Sequence, residues 1–203
     1  GTVANGVNRV NRESGEFQHY LHDDEREGSL PVNSVTSILE DRFGSMWFGT
    51  WEGGLAKLND DGQTFMVYQH DPGNERSIPS NVIQGLLIDR HDRMWLNTSN
   101  GLSRYDPDRG DFINYDHDPK NAHSISEGDL QSKAMYLDSR NRLWVGTYGG
   151  GLNMLDLKQA ENLDPETARF KHFRANIDGS GSIISDLVIS LNGVRRGSSE
   201  FLW

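Results

Sequence analysis

A short pattern recurs four times along this chain of 203 residues, and its fixed spacing constrains the fold more than any single residue does. The fullest copy runs Asn33-Ser34-Val35, Ile38, Asp41-Arg42-Phe43-Gly44, Trp47-Phe48-Gly49-Thr50 and Gly53-Gly54-Leu55. The second reads Asn81-Val82, Leu87, Asp89, Trp95-Leu96-Asn97-Thr98 and Gly101-Leu102. The third gives Leu130, Met135, Asp138, Trp144-Val145-Gly146-Thr147 and Gly150-Gly151-Leu152. Successive Trp residues stand 48 and 49 positions apart, and an Asp always precedes the Trp by six. Gly1 to Val7 overlies Gly49 to Leu55 at a shift of 48, and the last residue is Trp203. Four units follow, approximately 1–47, 48–95, 96–144 and 145–203 of one segment spanning 1–203. A second landmark keeps the same order: Tyr20-Leu21-His22-Asp23, Tyr68-Gln69-His70-Asp71 and Tyr115-Asp116-His117-Asp118, followed by Ser29, Ser77 and Ser124. A period of this length marks a solenoid, propeller or array.

Within a unit the local signals are all β. Residues 35–39 are β-branched and apolar and stop at a turn cluster, Asp41-Arg42-Phe43-Gly44. Residues 46–50, 55–58 and 65–68 follow as three more strands, parted by Glu52-Gly53-Gly54 and Asn59-Asp60-Asp61-Gly62. Loops this short join antiparallel neighbours. Residues 70–80 form a longer connection rich in Pro, Gly, Asn and Ser. Helical periodicity shows only over 159–169, a polar insertion. The expected fold is therefore all-β: a β-propeller of four repeats of about 48 residues, each a four-stranded antiparallel blade, and a fragment of a larger ring. Segments 35–39, 82–88 and 133–137 are expected innermost.

Composition narrows the partners. The net charge of −10 lacks the basic footprint that phosphate backbones require, so nucleic acid is excluded. No apolar run reaches the length of a membrane span, so any membrane attachment is expected through parts of the parent outside this chain. With no cysteine, the redox compartment stays open.

The run from Asn33 to Leu55, with the His-Asp-Pro connections at 70–72 and 117–119, resembles the two-component regulator propeller repeat. That resemblance implies the extracytoplasmic, periplasmic sensor region of a bacterial hybrid histidine kinase or a related diguanylate cyclase receptor. The last unit departs from the pattern. It is 59 residues long, no Asp-x-x-Gly precedes Trp203, and 193–199 reads as an extra loop.

Recurring residues are read first as structure. Trp47, Trp95 and Trp144 are bulky enough to fill the gap between blades. Asp41, Asp89 and Asp138 start turns, where a carboxylate accepts backbone N–H groups. One carboxylate per blade cannot converge on a single ion, so no metal is expected, and no cofactor. The repeated His-Asp pairs are likewise structural, since a catalytic group is normally unique. No nucleophile motif or phosphate-cradling loop is present, so no catalytic residue is assigned. Any kinase or cyclase activity would sit in other domains of the parent.

The loops after Gly-Thr vary where the scaffold repeats: Trp51-Glu52, Ser99-Asn100, Tyr148-Gly149 and Val3-Ala4. An exposed ring beside a carboxylate suits sugar or peptide recognition. Trp51, Glu52, Asn100 and Tyr148 are thus the candidate ligand-binding residues, the alternative being that Trp51 and Tyr148 pack under adjacent loops. The leading function is a ligand-sensing receptor segment for a carbohydrate or similar small molecule. A protein-interaction or dimerisation scaffold, self-associating through blade faces, comes next. A propeller-fold lyase or hydrolase comes third.

Overall fold

The computed structural model describes residues 1–127, 134–159, 163–176, 181–197 and 199–203. Leu130, Lys133 and Ser198, which the sequence reading used, lie outside the described residues, as does part of the 159–169 window.

Sixteen strands account for the regular structure, and no α-helix occurs among the described residues. Three complete sheets each contain four antiparallel strands joined in sequence order. The first holds β3 (Val35–Glu40), β4 (Met46–Thr50), β5 (Leu55–Leu58) and β6 (Phe65–Tyr68). The second holds β7 (Ile83–Ile88), β8 (Met94–Thr98), β9 (Gly101–Asp106) and β10 (Asp111–Tyr115). The third holds β11 (Met135–Leu137), β12 (Arg142–Gly146), β13 (Leu152–Asp156) and β14 (Phe170–Phe173). Before them β1 (Val7–Val10) pairs with β2 (Phe17–Tyr20), and after them β15 (Gly193–Arg196) pairs with β16 (Ser199–Leu202). Four strands per repeat thus appear as blades of four, with a two-stranded half-blade at either end. The stretch expected as an extra loop, 193–199, instead contributes a hairpin. Gly197, at φ 62°, supplies the left-handed conformation at the end of β15 where the chain turns back.

The first strands β3, β7 and β11 approach one another from blade to blade, which places them innermost, as the sequence reading expected. In both β3 and β7 a bulge falls at the same repeat position, Thr36 and Gln84. Thr36 Oγ1 donates across the gap to Ile83 O at 2.5 Å.

The core lies between blades, not within them. Trp47 and Leu55 of the first blade pack with Leu96 and Phe112 of the second. Trp95, Leu102 and Tyr115 of the second pack with Val145, Leu155 and Phe170 of the third. Val7 and Tyr20 of the leading half-blade pack with Phe48, Ala56 and Phe65. Adjacent residues of a strand point to opposite faces. Each Trp therefore faces forward to the next blade while its successor, Phe48, Leu96 or Val145, faces back. Gly in the Trp-x-Gly-Thr motif permits this approach: a Cβ on Gly49 would lie 2.7 Å from Ile83 Cγ2, and one on Gly146 2.5 Å from Val188 Cγ1.

Two local devices explain the invariant spacings. Asp89 Oδ1 accepts backbone N–H bonds from His91 and Arg93 while Oδ2 accepts the Trp95 indole N–H at 3.0 Å. The same arrangement joins Asp41 to Trp47 and Asp138 to Trp144, each at 2.9 Å. The six-residue interval is thus the length of a hairpin that lets one carboxylate close the turn and anchor the ring. In the linkers, Nδ1 of His22, His70 and His117 donates to the carbonyls of Leu30, Ile78 and Ile125 at 2.7, 2.8 and 2.9 Å. The Ser29, Ser77 and Ser124 hydroxyls accept from the N–H of Asp23, Asp71 and Asp118.

Asp138 shows how the turn responds to pH. Burial raises its pKa, but hydrogen bonds from Trp144 and Arg142 outweigh that and hold the carboxyl below its ordinary range. A depressed folded-state pKa contributes stability that is full above the unfolded value and lost as pH falls through the folded one. The urea midpoint should therefore drop steeply below about pH 4, and less steeply in Asp138→Asn. Equal slopes in the two proteins would remove Asp138 from the account.

Candidate functional site

Strand register sorts the loops to two ends of the blades. Val35 pairs with Thr50, Gly49 with Leu55, and Leu55 with Tyr68. The loop between second and third strands and the linker to the next blade therefore leave from the same end. Trp51, Glu52, Asn100 and Tyr148 all stand on such second-to-third-strand loops, one blade after another. The loop is held shut from below: Thr50 Oγ1 donates to Gly54 O at 2.6 Å, and Thr147 Oγ1 to Gly151 O at 2.9 Å. Thr2 Oγ1 repeats the bond to Gly6 O at 3.1 Å, which confirms the register assigned to the first residues. Gly54 itself has φ 83°, and a Cβ there would lie 2.2 Å from Tyr68 O.

The loop tips remain open. Trp51 is 45% exposed and Tyr148 53% exposed, and neither ring stacks on another among the described residues. About half of each ring is thus open to solvent, and the other half is covered. Their backbones are nonetheless fixed: Trp51 N donates to Ser34 O, and Tyr148 forms an isolated bridge with Leu187. Glu52 adopts φ 72°, a left-handed conformation uncommon outside Gly, and its side chain is exposed.

Of these four residues Asn100 lines a cleft on the rim. That cleft measures about 910 Å³ and runs along the outer rim between the linker 70–79, the fourth strand β10 and the insertion preceding β14. Asn100 Nδ2 donates to Pro79 O at 3.4 Å. Arg76 is tied down by Asp111, with Nε to Oδ2 at 2.5 Å, and by Asp106 at 3.1 Å. That hydrogen bond holds Asp111 below the usual carboxylate range and raises Arg76. With Arg76 thus neutralised, the remaining charges on the lining are mainly acidic: Asp71, Glu75, Asp116, Asp164 and Glu166. Asp116 is exposed as a residue, but its Oδ1 sits against Gly101, and desolvation pushes its pKa up. The insertion closes the far wall, its Leu163 carbonyl accepting the Tyr115 hydroxyl at 2.7 Å and Arg104 Nη2 at 3.2 Å.

Trp51, Glu52 and Tyr148 do not line this cleft. The sequence reading missed Asp116 and the insertion wall. Asp116 occupies the linker position held elsewhere by Leu21, Gln69 and Arg174, so the criterion of variation applied to the loops would have found it. A fourth linker was missed as well. Ala175 stands where the others have His, its N–H donating to Asp186 Oδ1 at 2.7 Å as His22 and His70 donate to Asn33 and Asn81. Asn176 N donates to Ser182 Oγ at 3.1 Å. Without the imidazole the motif carried no sequence signal. Among the described residues no group of acidic and imidazole side chains could hold a metal ion.

The family model for the two component regulator propeller matches residues 29–52 and 126–149. The first of these covers β3, β4 and the turn between them. No curated protein matches in sequence. Among solved structures, the extracellular domain of a one component system from B. thetaiotaomicron superposes with a TM-score of 0.67 at 19% identity, over 94% of this chain and 23% of that one. The extracellular domain of a hybrid two component system from B. thetaiotaomicron gives 0.63 at 19% identity, over 85% and 25%. Virginiamycin B lyase from Staphylococcus aureus gives 0.55 at 17% identity, over 88% and 51%. Two segments of the chain therefore match that repeat, and the fold is that of a propeller. The chain spans about a quarter of the length of the two signalling structures.

Proposed function

We propose that this chain is part of the extracytoplasmic ligand-sensing region of a bacterial signal-transduction receptor, recognising a carbohydrate or similar small ligand and performing no catalysis itself. The observation that carries the reading is the contrast between an invariant scaffold and exposed, variable loop tips at one end of the blades. Trp51 and Tyr148 offer ring faces there at positions whose backbone is already fixed, so little ordering entropy opposes binding. A ring face suits the apolar C–H patches of a sugar. The neighbouring cleft contributes carboxylates and the Asn100 amide, which hydrogen-bond hydroxyls. Its acidic balance favours neutral over anionic saccharides. The signalling context and extracytoplasmic location rest on likeness to the repeat family.

Titration calorimetry with a panel of neutral and acidic oligosaccharides tests the reading. Trp51→Ala and Tyr148→Ala should weaken binding of a neutral member about tenfold each, on the scale of a lost stacking contact. Both rings are half exposed, so unfolding free energy should move by only about 0.5 kcal/mol. No heat with any saccharide, or a large loss of stability in either variant, would refute the assignment.

A further inference from the structure

One turn position sets the first complete blade apart from the other two. In the second blade Arg93 places Nε 2.6 Å from Asp89 Oδ2, the oxygen that also accepts the Trp95 indole. In the third, Arg142 does the same to Asp138 at 2.5 Å, with its guanidinium 5.2 Å over the Trp144 ring. Both carboxylates are buried, at 4% and 3% exposure. In the first blade the corresponding residue, two before the Trp, is Ser45. Asp41 Oδ1 still accepts the N–H groups of Phe43 and Ser45, and Oδ2 accepts the Trp47 indole at 2.9 Å. Among the described residues no guanidinium joins them, and Asp41 is only half-buried.

Where the serine stops short, a cavity of about 370 Å³ opens between the first and second blades. Asp41, Ser45, Trp47 and Lys57 line it from one blade and Tyr105 from the other. The Tyr105 ring lies 5.0 Å from that of Trp47. Phe43, 76% exposed, stands at its rim. The Arg42 guanidinium lies 4.5 Å over that ring and reaches across to Asp92 of the second blade at 3.0 Å. The turn between β3 and β4 puts the cavity at the end of the blades opposite Trp51 and Tyr148. Both of its walls are whole four-stranded blades.

We infer that this cavity binds a small molecule through a guanidinium group, which takes beside Asp41 the place that Arg93 and Arg142 take beside Asp89 and Asp138. One N–H of the group meets Asp41 Oδ2 in a charge-assisted hydrogen bond. Its plane lies against the Trp47 and Tyr105 rings, since guanidinium planes stack on aromatic faces where an ammonium is only a point charge. Lys57 serves the ring and not the carboxylate: its ammonium sits 5.1 Å over Trp47. Nor does it exclude a second cation. Arg104 stands opposite Trp95 in the sheet as Lys57 stands opposite Trp47, and the second blade holds both Arg104 and Arg93. The other arginines of the lining are engaged, Arg42 with Asp92, Arg93 with Asp89 and Arg104 with the Leu163 carbonyl. The site is independent of the saccharide reading and of the loops that carry it.

Titration of the full chain with n-propylguanidinium, followed by the indole N–H resonance of Trp47, tests the assignment. Trp47→Phe identifies that resonance among the five tryptophans. The expected dissociation constant is about 1 mM, the affinity that a fragment of this size attains. n-Propylurea, neutral and nearly the same shape, should bind about tenfold more weakly or worse. Ser45→Arg supplies the guanidinium from the chain itself. It should keep the wild-type far-ultraviolet dichroism and abolish the titration. An unmoved Trp47 resonance at about 10 mM probe, equal affinity for the urea and the guanidinium, or a folded Ser45→Arg protein that still binds would each overturn the proposal.

Discussion

Trp95→Ala is expected to destabilise the chain by about 4 kcal/mol, whereas Trp144→Ala should cost only about 2 kcal/mol. Both rings occupy the same repeat position and donate the same indole hydrogen bond to an Asp. They differ in what lies in front of them. Trp95 is fully buried against Leu143, Leu155 and Phe170 of the third blade, so removing it leaves a cavity that three apolar side chains line. Trp144 meets Phe173 of its own blade and the open cleft beside β16, so the lost contact is smaller and water already reaches the site. The comparison should be made by urea denaturation at concentrations where the chain is monomeric. Equal losses would mean that the packing value of the Trp is set within a blade and not between blades.

Asp89→Ala should cost a further large amount, about 3–5 kcal/mol, because it removes one buried acceptor from four donors at once. Asp89 is 4% exposed and holds two backbone N–H groups, the Trp95 indole and the Arg93 guanidinium, whose Nε donates to Oδ2 at 2.6 Å. The arginine would be left largely buried without its counter-charge. Asp41→Ala provides the control. Ser45 stands where Arg93 and Arg142 do in the other turns, so Asp41 has no such partner and its loss should cost roughly 2 kcal/mol. Thermal or urea midpoints of the two variants check the order, and Asp41→Ala matching Asp89→Ala would show that the arginine contributes nothing.

These devices show why so much of the fold was legible. The Asp-to-Trp interval, the His that closes a linker, and the Gly that lets Ile83 or Val188 approach are all built from residues within one repeat or its neighbour. Identical local chemistry therefore produces identical geometry at each recurrence, and a period in the sequence becomes a period in space. The loop candidates were singled out for the converse reason, that they vary where everything beside them is fixed. The last unit was harder because Ala175 and Gly197 replace the His and Asp that advertise the motif, although Asp186 and Ser182 keep its hydrogen bonds.

The rim cleft was not legible, because its walls come from three places in the sequence. The linker 70–79, the end of β10 with Asp116, and the insertion carrying Leu163 meet only after the second and third blades have packed. Nor could the repeat assign its own phase. Units drawn from one Trp to the next cut across the sheets, and hydrogen-bond pairing instead gives three whole blades flanked by two halves among the described residues. The sequence by itself determined strand order, turn chemistry and the interblade ring of Trp, since these depend on contacts at repeating separations. Only the tertiary structure decided which apolar faces are covered, because burial belongs to a neighbour and not to a residue. Phe17 and Phe112 are the same residue at the same repeat position, and the blade behind Phe112 makes the difference.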